Sequence, residues 1–331
     1  MSMGKTRDYV AGKDDANRRL DRVLRVILGE TPLSAIYEAL RTKRVLVNGK
    51  RVEVSYRLVE GDRISVDERL IEGNPHPPAG PASSPPPSPR ATVPGSGLDA
   101  ITVLRTGELL FLDKPRGLLT HGEASLDLMV KEAFSSRAEA SLAFSPAPLN
   151  RLDRNTSGLV VFSLSMKGAQ AFTSMQREGR LGKSYLALLS GRLEGRRDWE
   201  DRLERDEKTL KSGLGEQGEL ARTSVLPLLA GEDASLALVR IQTGRTHQIR
   251  VQCSAHGHPL LGDGKYGGAG LPGGYFLHSW LLEFKEEIFP DVPRRVKAPI
   301  PAPWLSRFEA QWGREEVERK LVQAEAFNWQ A

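Results

Sequence analysis

The chain has 331 residues, 39% of them hydrophobic and 27% charged, proportions that fit a globular fold and exclude both a wholly disordered chain and a membrane-embedded one. Forty-seven Lys and Arg against 42 Asp and Glu leave a net charge of +5, which tilts the expected partner towards a polyanion. Cys253 is the only cysteine, so no intrachain disulfide can form, and the absence of an apolar leader or transmembrane-length run adds to the expectation of a cytoplasmic protein with no membrane partner.

In chain order, Arg19 to Leu28 has helical spacing, with Gly29 able to end the helix. A second helix is expected from an N-cap at Ser34 through Ile36, Tyr37 and Leu40 to the basic run Arg41-Thr42-Lys43-Arg44, whose charge suits a helix C-terminus. Val45-Leu46-Val47 then leads into the hairpin turn Asn48-Gly49, and Val52, Val54 and the run Gly61 to Val66 complete a small sheet. Between Arg18 and Arg51 nine basic residues face three acidic ones, a local charge of +6. The order of elements resembles the S-four-like RNA-binding domain, with Arg-Leu-Asp opening the first helix, Arg-Val-Leu-Val-Asn-Gly at the hairpin and Gly-Asp-x-Ile at the end. The pattern departs at Ala35-Ile36, where an arginine is usual. The resemblance implies phosphate contacts from this basic face, for which Arg19, Arg22, Arg41, Lys43, Arg44, Lys50 and Arg51 are the candidates.

Residues 74–97 contain nine prolines and almost no large apolar side chains, which reads as a semi-rigid spacer between two domains that move independently. The second domain opens with the apolar strand Glu108 to Leu112, followed by the turn Asp113-Lys114-Pro115-Arg116-Gly117 and Leu118 to His121.

Leu149-Asn150-Arg151-Leu152-Asp153-Arg154-Asn155-Thr156-Ser157-Gly158-Leu159 puts one carboxylate between two arginines just ahead of the buried strand Leu159 to Phe162. Flanking cations would keep Asp153 ionised and available as a nucleophile or a base. Taken alone, such a turn could equally be a surface ion pair worth at most ~1 kcal/mol. The run resembles the signature loop of the Rlu-type RNA pseudouridine synthases, His-Arg-Leu-Asp-x-x-Thr-Ser-Gly-Leu, whose aspartate is catalytic; Asn150 stands where a histidine is usual. Asp113 to Leu118 is similar to the same family's Lys-Pro-x-Gly-Leu motif.

Beyond that loop, Met166 to Glu178 has helical spacing with Gly179 as its stop. The strand Lys183 to Leu189 carries Lys183 and Tyr185 on one face; the family has Lys-x-Tyr here, and its tyrosine lies against the target uracil. Glu194 to Gly218 is charged and reads as an exposed insertion, and Ala221 to Leu229 and Ser235 to Ile241 read as strands. Thr246 is expected to cap a helix from His247 to about Gly257, with His247 and Arg250 on one face. Thr-Gly-Arg-Thr-His-Gln-Ile-Arg-Val and Gly-His-Pro-Leu-Leu-Gly-Asp-x-x-Tyr resemble the family's third motif, with Gln252 in place of a frequent histidine, and the resemblance implies that Arg250 pairs with Asp153. His247, Cys253, His256 and His258 offer zinc-type donors, but their spacing lacks a Cys-x-x-Cys pair and argues against a metal. The tail from Glu315 reads as an amphipathic terminal helix.

The fold expected from these motifs is α+β. A small α/β RNA-binding domain spans 1–73, a Pro-rich linker 74–97, and a synthase catalytic domain dominated by mixed, mainly antiparallel sheet 98–331. The resemblance implies isomerisation of uridine to pseudouridine in structured RNA without a cofactor, with ribosomal RNA favoured over transfer RNA and a monomer expected. Asp153 would be catalytic, while Arg151, Tyr185 and Arg250 would contact or orient substrate. Two other classes stay open at this point: an RNA-binding or assembly protein whose synthase domain has lapsed, suggested by Asn150, Ala35 and Gln252, and a carboxylate hydrolase with Asp263 as the second carboxylate.

Overall fold

A computed structural model describes residues 5–29, 31–72, 97–135, 141–206, 211–271 and 273–329. In the N-terminal domain β1 (Thr6–Val10), β2 (Val45–Val47) and β3 (Arg63–Asp67) form an antiparallel sheet in the order β1-β3-β2. β1 has no alternating apolar signal, because all but one of its residues are exposed on an edge strand. Helices α1 (Leu20–Ile27) and α2 (Leu33–Arg41) supply the core, where Leu20, Val23, Leu24 and Ile27 recur at helical spacing and are buried. α2 starts from Pro32, whose extended backbone sets its direction; Ser34 lies inside the helix and is not its cap. Asn48 and Gly49 both have positive φ, 50° and 74°, the signature of a tight two-residue hairpin. Val52 and Val54 stay outside the sheet in an irregular segment and pack against the core from there. The short helix α3 (Glu68–Glu72) closes the domain.

The second domain is built on one mixed sheet. Its path runs β4 (Thr102–Arg105), β5 (Leu109–Lys114), β7 (Ser157–Ser163), β13 (Leu277–Phe284), β8 (Leu181–Ser190), β12 (Ala234–Ile241), β11 (Glu219–Ala230), β9 (Arg197–Asp206) and β10 (Lys211–Leu214). β6 (Ala147–Pro148) pairs with β7, and β14 (Arg295–Lys297) pairs with β13. β7 and β13 are parallel, and the other neighbours are antiparallel, so the mixed, mainly antiparallel α+β expectation is met.

Both faces of the sheet are covered, which is why its central strands read as continuous apolar runs. Leu110 and Leu112 of β5, Val160 and Phe162 of β7 and Tyr185 of β8 enter one core together with α4 (Leu126–Ala133) and α6 (Gln248–Ala255). Leu109, Phe111, Leu159 and Val161 enter the opposite core with α5 (Met166–Arg177), whose N-cap Ser165 accepts from Gly168 N. Over β8 and β12 that opposite face is closed by α7 (Ala302–Trp312) and α8 (Arg314–Glu325). The segment 194–218 is no free insertion: β9 and β10 extend the sheet, and Trp199 and Leu203 of β9 are buried while the charged residues around them face solvent.

The proline-rich stretch 74–97 lies outside the described residues except for Gly97. The two domains nonetheless meet through a polar contact. Asp15 is fully buried and accepts hydrogen bonds from Ser141 Oγ at 2.8 Å, Leu142 N at 2.8 Å and Ala143 N at 3.1 Å. Asp14 accepts from Met166 N at 2.8 Å, and Arg18 donates to Ala143 O at 2.8 Å. Composition predicts two independently moving bodies, whereas these bonds hold the first domain against the base of α5.

Candidate active site

The Asp153 loop is clamped from three sides. Asn150 accepts from Val161 N at 2.8 Å and donates to Leu159 O at 3.1 Å, so the residue that departs from the family pattern fastens the loop to β7. Lys114, at the end of β5, is fully buried and donates to Pro115 O at 3.1 Å, Leu118 O at 2.8 Å and Arg154 O at 3.1 Å, with burial depressing its pKa to about 8. Thr120 Oγ1 donates to Leu152 O at 3.1 Å, and Gly117 N donates to Arg154 O at 2.8 Å. Gly158 has φ +104° and lies so close to β13 that a Cβ would meet Ser279 O at 2.2 Å; only glycine fits there.

Asp153 thus projects from a rigid frame, with its side chain 29% exposed. The cation that pairs with it is neither of its sequence neighbours. Arg154 Nε donates to Gly117 O at 3.0 Å, and Arg151 is exposed on the surface beside the loop. Arg250, on α6, reaches Asp153 Oδ2 through Nη1 at 3.0 Å, so the expected pair is present. The same guanidinium forks onto Asp263, with Nε to Oδ2 at 2.7 Å and Nη2 to Oδ1 at 2.9 Å, and is stacked between the rings of Tyr266 and Tyr275, 4.9 and 4.7 Å from their centroids. Burial works against its charge, but the hydrogen bonds and charge of Asp263, with help from Tyr275 and Asp153, outweigh it and raise its pKa. Asp263 is 2% exposed and spends both oxygens on Arg250. It is an anchor for that arginine, which leaves a two-carboxylate hydrolase without its second acid.

Tyr185 lies in the middle of β8, buried, with a hydrogen bond to Ser279 on the neighbouring strand. Burial first, and the nearby charge of Asp153 in addition, push its phenol up to about 12 while the Ser279 bond works the other way. It is therefore a neutral phenol beside the carboxylate. Lys183, its partner in the sequence motif, instead donates to Gln176 at 2.8 Å.

α6 begins differently from expectation. His247 occupies the cap position in the left-handed region, φ 56°, with no side-chain cap bond. Thr246 does not cap; the side chain of Gln248 turns back to accept from Thr243 Oγ1 at 2.8 Å and Arg245 N at 3.0 Å. Gln252 is fully buried, donating to Asp201 at 2.6 Å and accepting from Thr223 at 2.6 Å, which ties α6 to β9 and β11. The zinc-type donors diverge. His247 bonds Tyr266, Cys253 is buried in the core, His256 stacks on Trp199, and His258 bonds Ser190 O. Among the described residues no group of three or more His, Cys, Asp or Glu could hold a metal ion.

A family model described as RNA pseudouridylate synthase matches residues 108–255, and an S4 domain model matches residues 18–64. Ribosomal large subunit pseudouridine synthase C of Salmonella typhi is 30% identical over 313 residues, 87% of this chain and 91% of that protein. The chain belongs to the RNA pseudouridylate synthase family. The synthase C of Vibrio cholerae is 31% identical over 256 residues, covering 77% of this chain and 78% of that one. Among solved structures, Human RNA Pseudouridylate Synthase Domain Containing 1 has a TM-score of 0.51 at 28% identity, covering 67% of this chain and 91% of that chain. Human RNA Pseudouridylate Synthase Domain Containing 4, at 18% identity and a TM-score of 0.52 over 63% of this chain and 91% of that chain, shares the fold.

Within this pseudouridine synthase the S4 domain carries the basic candidates in two states. Arg22, Arg41, Lys43, Lys50 and Arg51 are exposed. Arg19 is paired with Asp21 at 3.0 Å and Arg44 with Asp67 at 3.6 Å, so these two are partly neutralised. Sequence reasoning singled out Asp153, Tyr185 and Arg250 but gave no role in the site to Lys114, Tyr266 or Tyr275. The signal for Lys114 was its motif position. Tyr275 lies outside the quoted motifs and joins the site only through the packing of the segment before β13.

Proposed function

We propose that this synthase isomerises uridine to pseudouridine in large-subunit ribosomal RNA, acting as a cytoplasmic monomer with Asp153 as its catalytic residue. The observation that carries the assignment is the single carboxylate of Asp153, presented at a partly exposed loop with one oxygen held by Arg250 and a buried neutral tyrosine beside it. The reaction breaks the bond from uracil N1 to the ribose, turns the ring, and joins C5 to the same anomeric carbon; N1 gains a proton and C5 loses one. Asp153 starts it as a nucleophile at the anomeric carbon or by taking a ribose proton. Tyr185 offers its face to the flipped base, replacing stacking lost when the nucleotide leaves its helix. Arg250 fixes the carboxylate's rotamer, and Arg151, exposed beside the loop, contacts RNA near the flipped nucleotide. The S4 domain supplies sequence-tolerant phosphate contacts through its exposed lysines and arginines.

The lapsed-enzyme reading rested on Asn150, Ala35 and Gln252. Asn150 and Gln252 have structural work in the fold, and neither displaces a member of the Asp153, Tyr185 and Arg250 group. The test is to map pseudouridines in total RNA with and without the gene. Loss of one or more sites in large-subunit ribosomal RNA, restored by the wild-type gene but not by Asp153→Asn, is the expected result; an unchanged map would refute the assignment.

A further inference from the structure

The mechanism above gives no role to His247, which lies between the catalytic loop and the strand pair β9–β10. Its Nδ1 is 2.6 Å from Tyr266 Oη, and its Nε2 is 3.7 Å from Asp153 Oδ2, the oxygen that also receives Arg250. The side chain is 17% exposed, and the backbone is held in the left-handed region.

Donor and acceptor counting favours one tautomer of the ring. Ser212 N, on β10, donates to Tyr266 Oη at 3.2 Å. A backbone N–H can only donate, so the phenol oxygen accepts there; it keeps a second lone pair, but the arrangement that also uses its proton places that proton on His247 Nδ1. Nδ1 is then the acceptor. In a neutral imidazole the proton must sit on the other nitrogen, Nε2, which faces Asp153.

We propose that His247 is a positioning residue for Asp153, held by the chain Ser212–Tyr266 as the neutral tautomer with its proton on Nε2. The proposal rests on the reading of Asp153 as the catalytic carboxylate. Arg250 hydrogen-bonds Oδ2 at 3.0 Å, while Nε2 faces the same oxygen at 3.7 Å, beyond hydrogen-bond distance, and closes on it when RNA binds, which leaves Oδ1 as the oxygen turned to the ribose. A neutral second donor that closes on the carboxylate in the RNA complex fixes its rotamer without setting a second full cation against it. The charged groups facing His247 are Asp153 and Asp263, which favour its protonation, and Arg250 and Lys265, which oppose it; burial is the largest influence, and the imidazole's pKa is lowered. The edge strand β10 thereby reaches the active site through one backbone amide.

The test uses the full-length protein labelled with 15N-histidine at neutral pH, the His247 signals being assigned by their loss in His247→Asn. Asparagine tolerates the left-handed backbone but is too short to reach Asp153, so this variant separates conformation from chemistry. The expected spectrum has a protonated, pyrrole-like Nε2 and an unprotonated, pyridine-like Nδ1, shifting to a mixture of tautomers in Tyr266→Phe. In single-turnover assays at saturating RNA, His247→Asn should be slower by roughly 10- to 100-fold, with a smaller effect on RNA affinity. His247→Gln, which keeps a side-chain N–H donor, should recover part of the rate. A proton on Nδ1, a charged imidazolium at neutral pH, or a wild-type rate in His247→Asn would overturn the proposal. The spectrum needs no activity, so it stands apart from failure of the Asp153 assignment, which would show as turnover in Asp153→Asn.

Discussion

Arg250 holds two carboxylates of unlike exposure: buried Asp263, which it grips with two nitrogens, and partly exposed Asp153, which it touches with a third. The bidentate bond fixes the guanidinium plane, and the remaining Nη1 then fixes where Asp153 can be. The two aspartates are therefore expected to fail in different ways.

Asp263→Asn should destabilise the fold by about 3–5 kcal/mol, because it strips the strong partner from a buried guanidinium. The midpoint of urea unfolding reads this. An unchanged midpoint would mean that Asp153 and the flanking tyrosine rings suffice to hold Arg250.

Asp153→Asn should abolish pseudouridine formation while leaving the unfolding midpoint and RNA affinity close to wild type. The amide keeps the shape and loses the charge that the chemistry needs. A tritium-release or mass-spectrometric assay on transcribed RNA measures turnover, and a rate near wild type would remove Asp153 from the mechanism.

Asn150→Ala should cost about 1–3 kcal/mol, since it leaves the N–H of Val161 and the carbonyl of Leu159 short of partners beside a buried strand. Asn150→His should be far milder, because a neutral imidazole also carries one donor and one acceptor. Comparing the two unfolding curves checks whether the clamp, rather than the residue identity, matters.

Asp113→Asn should stabilise the protein above neutral pH and not below pH 4. Burial raises the Asp113 carboxyl to about 6, opposed by Lys114 and the Gly158 amide. A raised carboxyl pKa means that the folded state holds a proton the unfolded chain releases, so stability is full below the unfolded value near 4 and declines as pH rises through about 6. Asparagine removes that decline, and a melting temperature higher by a few degrees at pH 8 but not at pH 4 is the expected readout. Taking the difference between variant and wild type cancels titrations that do not act on Asp113, such as that of buried His278, whose pKa is depressed to about 4 and whose effect has the opposite sign.

Replacing Lys43, Lys50 and Arg51 together by alanine should weaken RNA binding and reduce the slope of log affinity against log salt by roughly two to three, in proportion to the phosphates no longer neutralised. A fluorescence-anisotropy salt series measures it. If affinity falls with no change in slope, these residues act through the fold and not through phosphates.

Local chemistry settled much of this protein. Asn48-Gly49 forces a left-handed two-residue turn, the spacing of Leu20, Val23, Leu24 and Ile27 makes one apolar helix face, and the runs at Leu109–Leu112 and Leu159–Phe162 demand burial on both sides of a sheet. The motifs around Asp153, Tyr185 and Arg250 could be picked out because each is contiguous along the chain. The family resemblance implied the Arg250–Asp153 pair, but the residues by themselves could not give which charge faces which. Arg151 and Arg154 flank Asp153 in sequence, yet Arg154 turns to Gly117 O and Arg151 is exposed, and the partner comes from Arg250, 97 residues away, because α6 packs over the same face of the sheet as the loop. The charged segment at β9 and β10 looked like a surface insertion because strands at the end of the sheet keep one face in solvent, so Trp199 and Leu203 are too few to outweigh the charges between them. The join between the domains was equally hidden. Asp15 looks like a solvated residue until folding brings Ser141 to Ala143 against it, and only the tertiary structure decides whether a lone carboxylate ends in water or among three donors.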